Sequence, residues 1–103
     1  LLYAYTETGQ HEMLLDKATA YIALYPTQPR LYFYAGLAAN QVKQYKKAKD
    51  FLESGIDFVV EDTELEANFN RQLGEAYGGL GDQKKKDAYF AKADKLIKLK
   101  SSK

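Results

Sequence analysis

Along residues 31–42, LYFYAGLAANQV, the positions Tyr32, Ala35, Ala39 and Val42 recur at i, i+3, i+7 and i+10, the period of one helix face. A second stretch, KKAKDFLESGIDFVV (46–60), carries a broader apolar stripe of Ala48, Phe51, Leu52, Gly55, Ile56 and Val59. Strict alternation, the mark of a half-buried strand, is rare. The two prolines, Pro26 and Pro29, both fall in the connector YPTQPR, so nearly everything else is free to be helical. Thr63 with Glu66 reads as a capping box before LEANFNRQL, and Gly81-Asp82 as a helix end followed by a new N-cap. These marks predict helices near 1–8, 12–24, 29–42, 45–60, 63–80 and 83–99. Connectors this short make each helix antiparallel to the one before.

The pattern also repeats. From Gly36, the offsets +12, +16 and +19 hold Ala48, Leu52 and Gly55; from Gly74 they hold Lys86, Phe90 and Ala93; from Leu2 they hold Leu14, Ala18 and Tyr21. Offset +3 holds Tyr5, Ala39 and Tyr77, and offset +7 holds Gly9, Lys43 and Gly81. Leu2 and Gly36 are 34 residues apart and Gly36 and Gly74 are 38 apart, one period plus about a helical turn. A period near 34 describes a helix–turn–helix unit that cannot bury its apolar face alone and stacks on its neighbours. The four extra residues are expected to lengthen the helix beginning at Thr63 or the one before it, because TELE has no loop character.

On these residues the chain resembles the tetratricopeptide repeats over essentially its whole length. The small Gly36 and Gly74, the aromatic Tyr32, the tyrosines Tyr5 and Tyr77, the small Ala48, the bulky Leu52 and Phe90 and the closing Pro26 all match. Lys86 departs from the small residue expected there and puts close packing of the third repeat in doubt; Val60 and Lys98 stand where a repeat-ending proline would. The resemblance implies an all-α, right-handed superhelical solenoid of antiparallel helix pairs, with a truncated first repeat (1–28), a second (29–62) and a third with a basic tail (63–103). It extends to bacterial multi-repeat proteins, some of them exported, so either cytoplasm or periplasm would suit the chain. The start, LLYAYTETG, looks like the inside of a helix and suggests a piece of a longer protein.

The function implied is protein or peptide binding by a scaffold whose first helices line a concave groove. Carried over by offset, that groove holds Tyr3, Thr6 and Glu7; Arg30, Phe33, Leu37, Asn40 and Gln41; and Asn68, Arg71, Glu75, Gly78 and Gly79, the two glycines leaving room. A branch of the family clamps a C-terminal carboxylate with Lys, Asn and Arg; the alignable places here hold Tyr34, Asn68 and Gln72, which disfavours that activity. At the far end Tyr89 and Leu96 have no following repeat to cover them. They are expected to mediate self-association through the last helix or to receive a missing element. A purely structural stretch of a longer solenoid is the alternative.

Composition agrees. With 46% hydrophobic and 28% charged residues the chain should fold, and 15 Lys+Arg against 14 Asp+Glu is far from the basic signature of a nucleic-acid binder, so no nucleic acid is expected. No apolar run approaches the roughly 18 residues of a membrane span. The absence of cysteine excludes disulfides, thiolate zinc sites and Cys nucleophiles.

The stretch LGEAYGGLGDQKKK (73–86) raises the question of a phosphate loop, but that loop needs a preceding strand and a Lys-Ser/Thr opening a helix. Leu80 and Gly81 stand there instead. His11 is the only histidine and has no second ligand at i+4. The acidic run Glu61, Asp62, Glu64 and Glu66 suits a helix start, which a negative charge stabilises. No enzyme activity, metal or cofactor is expected. Two lysine groups, 43/46/47/49 and 84/85/86, could form a basic stripe for nucleic acid or anionic lipid, but only Tyr45 is interleaved among them. A solvated outer surface is the preferred reading, and Lys92, Lys95, Lys98, Lys100 and Lys103 suit a helix C-terminus.

Overall fold

The computed structural model describes residues 10–101. These form α1 (His11–Leu24), α2 (Pro29–Gln41), α3 (Tyr45–Ile56), α4 (Thr63–Gly79) and α5 (Gln83–Ser101), with no strand among the described residues. The helix expected over 1–8, and with it Tyr3, Thr6 and Glu7, lies outside them. Each helix packs on the next, and α2 also touches α4, which brings the first helices of successive pairs side by side.

Pro29 stands in the first turn of α2, where its missing N–H costs nothing and its fixed φ already fits the helix. The Tyr32 hydroxyl donates to the Pro26 carbonyl at 2.7 Å and ties the connector back to α2. The four additional residues do lengthen a helix: α4 has 17 residues against 13 in α2, and the gain is at its N-terminal end.

Two boundaries differ from the sequence expectation. α3 stops at Ile56, four residues early, as Phe58 N–H turns back to Gly55 O and Val59 N–H to Ile56 O. The Phe58 ring stacks on Tyr32 at 5.8 Å, and β-branched Val59 and Val60 favour extended backbone over helix. The N-cap of α4 is Asp62 rather than Thr63: its carboxylate accepts from Leu65 N–H at 3.0 Å. Asp82 does the same for α5, accepting from Lys85 N–H at 3.0 Å, as the Gly81-Asp82 pair suggests.

α2 and α4 end in the same way. Gln44 N–H reaches Ala39 O (2.8 Å) while Lys43 N–H reaches Asn40 O (3.0 Å); Asp82 N–H reaches Tyr77 O (2.9 Å) while Gly81 N–H reaches Gly78 O (3.1 Å). This paired closure demands a left-handed residue between helices. Gly81 supplies it at φ +85 without penalty, whereas Lys43 holds φ +63 with a side chain. Replacing Lys43 with Gly is therefore expected to stabilise the fold by about 1 kcal/mol. A urea midpoint for Lys43→Gly at or below that of the parent would contradict it.

The core runs through all five helices: Leu14, Leu15 and Ala18; Ala35, Ala38 and Ala39; Ala48 and Leu52; Leu65, Phe69, Leu73, Ala76 and Tyr77; and Ala93. The repeated offset of +16 is a repeated contact. A Cβ on Gly36 would sit 2.4 Å from Leu52 Cγ, and one on Gly74 would sit 2.6 Å from Phe90 Cδ1. Lys86 does not loosen the third unit: α4 still approaches α5 so closely at Gly74 that an added Cβ would lie 3.2 Å from the Lys86 carbonyl oxygen. The lysine stem lies over Gly78, where an added Cβ would be 2.8 Å from its Cδ, and its Nζ sits 5.7 Å from the centre of the Phe90 ring. The small residue at this crossing has moved to the facing helix.

Candidate functional site

The i, i+4 spacing places Phe33, Leu37 and Gln41 along one stripe of α2, and Asn68, Gln72 and Glu75 along one of α4. Phe33, Leu37 and Asn68 are half-buried, while Arg30, Gln41, Arg71 and Glu75 are exposed. Two depressions divide these residues. One, of about 420 Å³, is lined by Asn40, Gln41, Lys43, Tyr45, Arg71, Gln72 and Glu75. The other, of about 390 Å³, lies at the start of α4 and includes Arg30, Asp62, Glu64, Asn68 and Lys100.

Several of the expected groove residues are already engaged within the chain. Asn40 is buried, and its Nδ2 donates to both the Gln72 carbonyl (3.0 Å) and Gln72 Oε1 (2.9 Å), so it clamps α2 to α4. Arg30 pairs with Asp62 at 3.3 Å, and Lys100 pairs with Glu64 beside it. Phe33 packs edge-on against Phe69 and Tyr34, with centroids 5.6 and 5.9 Å away. The space expected beside the glycines is filled: a Cβ on Gly79 would lie 2.4 Å from the Tyr45 ring, and Gly78 is covered by Lys86. Arg71 has no ion-pair partner among the described residues, which leaves its guanidinium to solvent or a ligand.

The first depression also gathers Lys43, Tyr45 and Gln72, which were not assigned to the groove from sequence. For Gln72 the signal was available, because it lies one helical turn from Asn68 on the same face of α4. Tyr45 opens α3, and its placement over Gly79 depends on how successive helix pairs are offset.

The opposite surface carries a second polar cluster. The Tyr77 hydroxyl donates to Glu53 Oε2 at 2.5 Å, the Tyr77 and Tyr89 rings stack at 5.5 Å, and Lys85 Nζ lies 4.9 Å from the Tyr77 centroid. Tyr89, expected to be open at the end of the solenoid, is therefore half-covered by its own chain, and Leu96 is half-buried as well. Burial pushes both hydroxyls above the usual phenol range; the bond to Glu53 adds to this for Tyr77, and the Glu53 charge for Tyr89. A pKa raised on folding gives stability that is complete below the unfolded value, about 10, and is lost as pH rises through the folded value. Chemical stability should thus decline above about pH 10, and Tyr77→Phe with Tyr89→Phe should flatten the decline. Urea titrations across this range test it; an unchanged slope in the double variant would refute the assignment.

Among the described residues no group of three or more His, Cys, Asp and Glu is arranged to hold a metal ion, and no helix is long and apolar enough to cross a membrane.

The fold is a tetratricopeptide-like helical repeat. The chain matches the solved structure of MamA 41-end from Desulfovibrio magneticus RS-1 with a TM-score of 0.79 and 23% identity. The match covers 95% of this chain and 53% of that one, so the chain spans about half the length of its structural neighbour. No family model and no curated protein matches the sequence.

Proposed function

We propose that the chain is a protein- or peptide-binding scaffold module whose ligand lies along the face shared by α2 and α4. The observation that carries this is the depression in which unpaired Arg71 stands with Gln41, Gln72 and Glu75. The amides can pair with an extended backbone, and Arg71 can give charge-assisted hydrogen bonds to a ligand carboxylate. Phe33 and Leu37, half-buried on the same stripe of α2, offer a modest apolar seat. Arg30 and Asn68 extend the surface toward the start of α4, where Asp62 already holds Arg30. Asn40 then serves the groove indirectly, by fixing the spacing of its two walls.

With Arg71 and Lys43 the cations of that depression that lack an ion pair among the described residues, and with a shallow apolar seat, affinity should be roughly micromolar. A diverse peptide library screened against the purified chain tests this. Ligands are expected to carry an acidic residue and to lose about 1.5–3 kcal/mol of binding on Arg71→Ala, while Lys47→Ala leaves them unaffected. Ligands that ignore Arg71 and depend on Lys47 would move the site to the pocket lined by Tyr32, Lys47, Asp50, Phe51 and Ser54.

A further inference from the structure

Charge is unevenly distributed along this nearly neutral chain. α5 holds seven of the 15 Lys+Arg and only two of the 14 Asp+Glu, a surplus of five positive charges, while the rest of the chain carries a deficit of four. Within α5 the charge is sorted again. At 3.6 residues per turn, Lys98, Ala91, Lys84, Lys95, Ala88, Leu99, Lys92 and Lys85 fall within an arc of about 140°. All eight are exposed, Leu99 at 55%. No carboxylate lies within that arc; Asp87 and Asp94 both stand on one flank. The opposite side of the helix, with Lys86, Phe90, Ala93 and Ile97, is turned toward the protein and is half-buried or buried. None of Lys84, Lys92, Lys95 and Lys98 has an ion pair among the described residues.

We infer that this face of α5 docks on a surface of anionic lipid headgroups. Its form suits a flat surface better than a chain lying in a groove. The stripe is outward-facing, and the depression of about 280 Å³ among Lys85, Ala88, Tyr89 and Lys92 is too small to seat a partner helix. All its cations are lysines, which act as point charges toward phosphate. The planar, bidentate recognition that arginine gives to nucleic acid is missing. Ala88, Ala91 and Leu99 stand between the lysines, so the face can approach the interface closely while the long stems reach the phosphates. Binding is electrostatic and reversible, since three apolar side chains are far too few to insert. The surface lies on a different helix from the α2–α4 groove, so the inference does not depend on the peptide-binding reading.

The test is sedimentation of the chain with vesicles of phosphatidylcholine alone, or of phosphatidylcholine with phosphatidylglycerol, in low and high salt. Binding is expected only to the anionic vesicles and should be lost in high salt. The triple change Lys92→Gln, Lys95→Gln, Lys98→Gln should weaken it about a hundredfold, since each lysine near an anionic surface is worth about a factor of five. Removing the same charge from α3 and its approach, by Lys43→Gln, Lys46→Gln and Lys47→Gln, should have a much smaller effect, with circular dichroism showing both variants folded. The inference is overturned by no binding to the anionic vesicles, by equal losses in the two triple variants, or by binding that persists in high salt. Tighter binding to duplex DNA than to the vesicles would also overturn it and make the face a nucleic-acid surface.

Discussion

Replacing Phe69 with alanine is expected to destabilise the protein by about 3–5 kcal/mol, the cost of deleting a fully buried aromatic ring. The ring is 0% exposed and stands where α2, α3 and α4 meet. Phe33 of α2 lies 5.6 Å from it edge-on, and a Cβ on Gly55 of α3 would touch its Cε1 at 3.1 Å. No neighbouring helix can close the void without leaving its other partners, so the cavity term adds to the lost transfer energy. A domain of this size has about 5–15 kcal/mol of stability in all, so Phe69→Ala should unfold at markedly lower urea. Leu24→Ala, at a position 68% exposed, serves as the control and should barely move the midpoint. A loss below about 1 kcal/mol for Phe69→Ala would mean that the packing here is loose.

The second large effect should come from adding a single methyl group. On an open helix, Gly→Ala gains about 1 kcal/mol of propensity. At Gly55 the new Cβ would lie 2.2 Å from Tyr32 Cβ and 2.8 Å from its Cγ. A Cβ is fixed to its own backbone, so no rotamer change in Tyr32 relieves the contact; α2 and α3 must separate. The clash outweighs the propensity, and Gly55→Ala is expected to cost a net 1–3 kcal/mol. Ser54→Ala, one residue away and exposed, should be close to neutral. A raised urea midpoint for Gly55→Ala would show that the α2–α3 crossing has slack.

What the sequence revealed and what it hid divide along a physical line. Contacts inside one helix pair recur at a fixed offset, so Gly36 against Leu52 and Gly74 against Phe90 could be read from the repeat before any coordinates. That a helix lengthens could be read too, because TELE has no loop character, but the sequence left α3 and α4 both open and the structure places the gain in α4. Contacts between helix pairs are another matter. Asn40 with Gln72 and Arg30 with Asp62 are each 32 residues apart, and whether such residues meet depends on the tilt between successive pairs. For that reason the α2–α4 face could be assigned as a surface, while the engagement of Asn40 and Arg30 within it could not. The early end of α3 was hidden for a different reason: Phe58 settles on Tyr32 within one helix pair, but the third unit has Asn70 and Leu96 at the same offsets, so the repeat gives no sign of that contact.

The exchange of bulk between Gly78 and Lys86 bears on how such a protein can change over time. At the same two offsets the preceding unit has Asn40 and Ala48, the larger residue on the first helix and the smaller on the second. A unit copied or recombined as a whole would keep its own pair and remain fitted. A crossover falling between α4 and α5 would set Gly78 against a small residue, or Asn against the lysine stem, leaving either a hole or a collision. The helix pairs are thus heritable as blocks, and viable breakpoints should concentrate in the connectors that join one pair to the next.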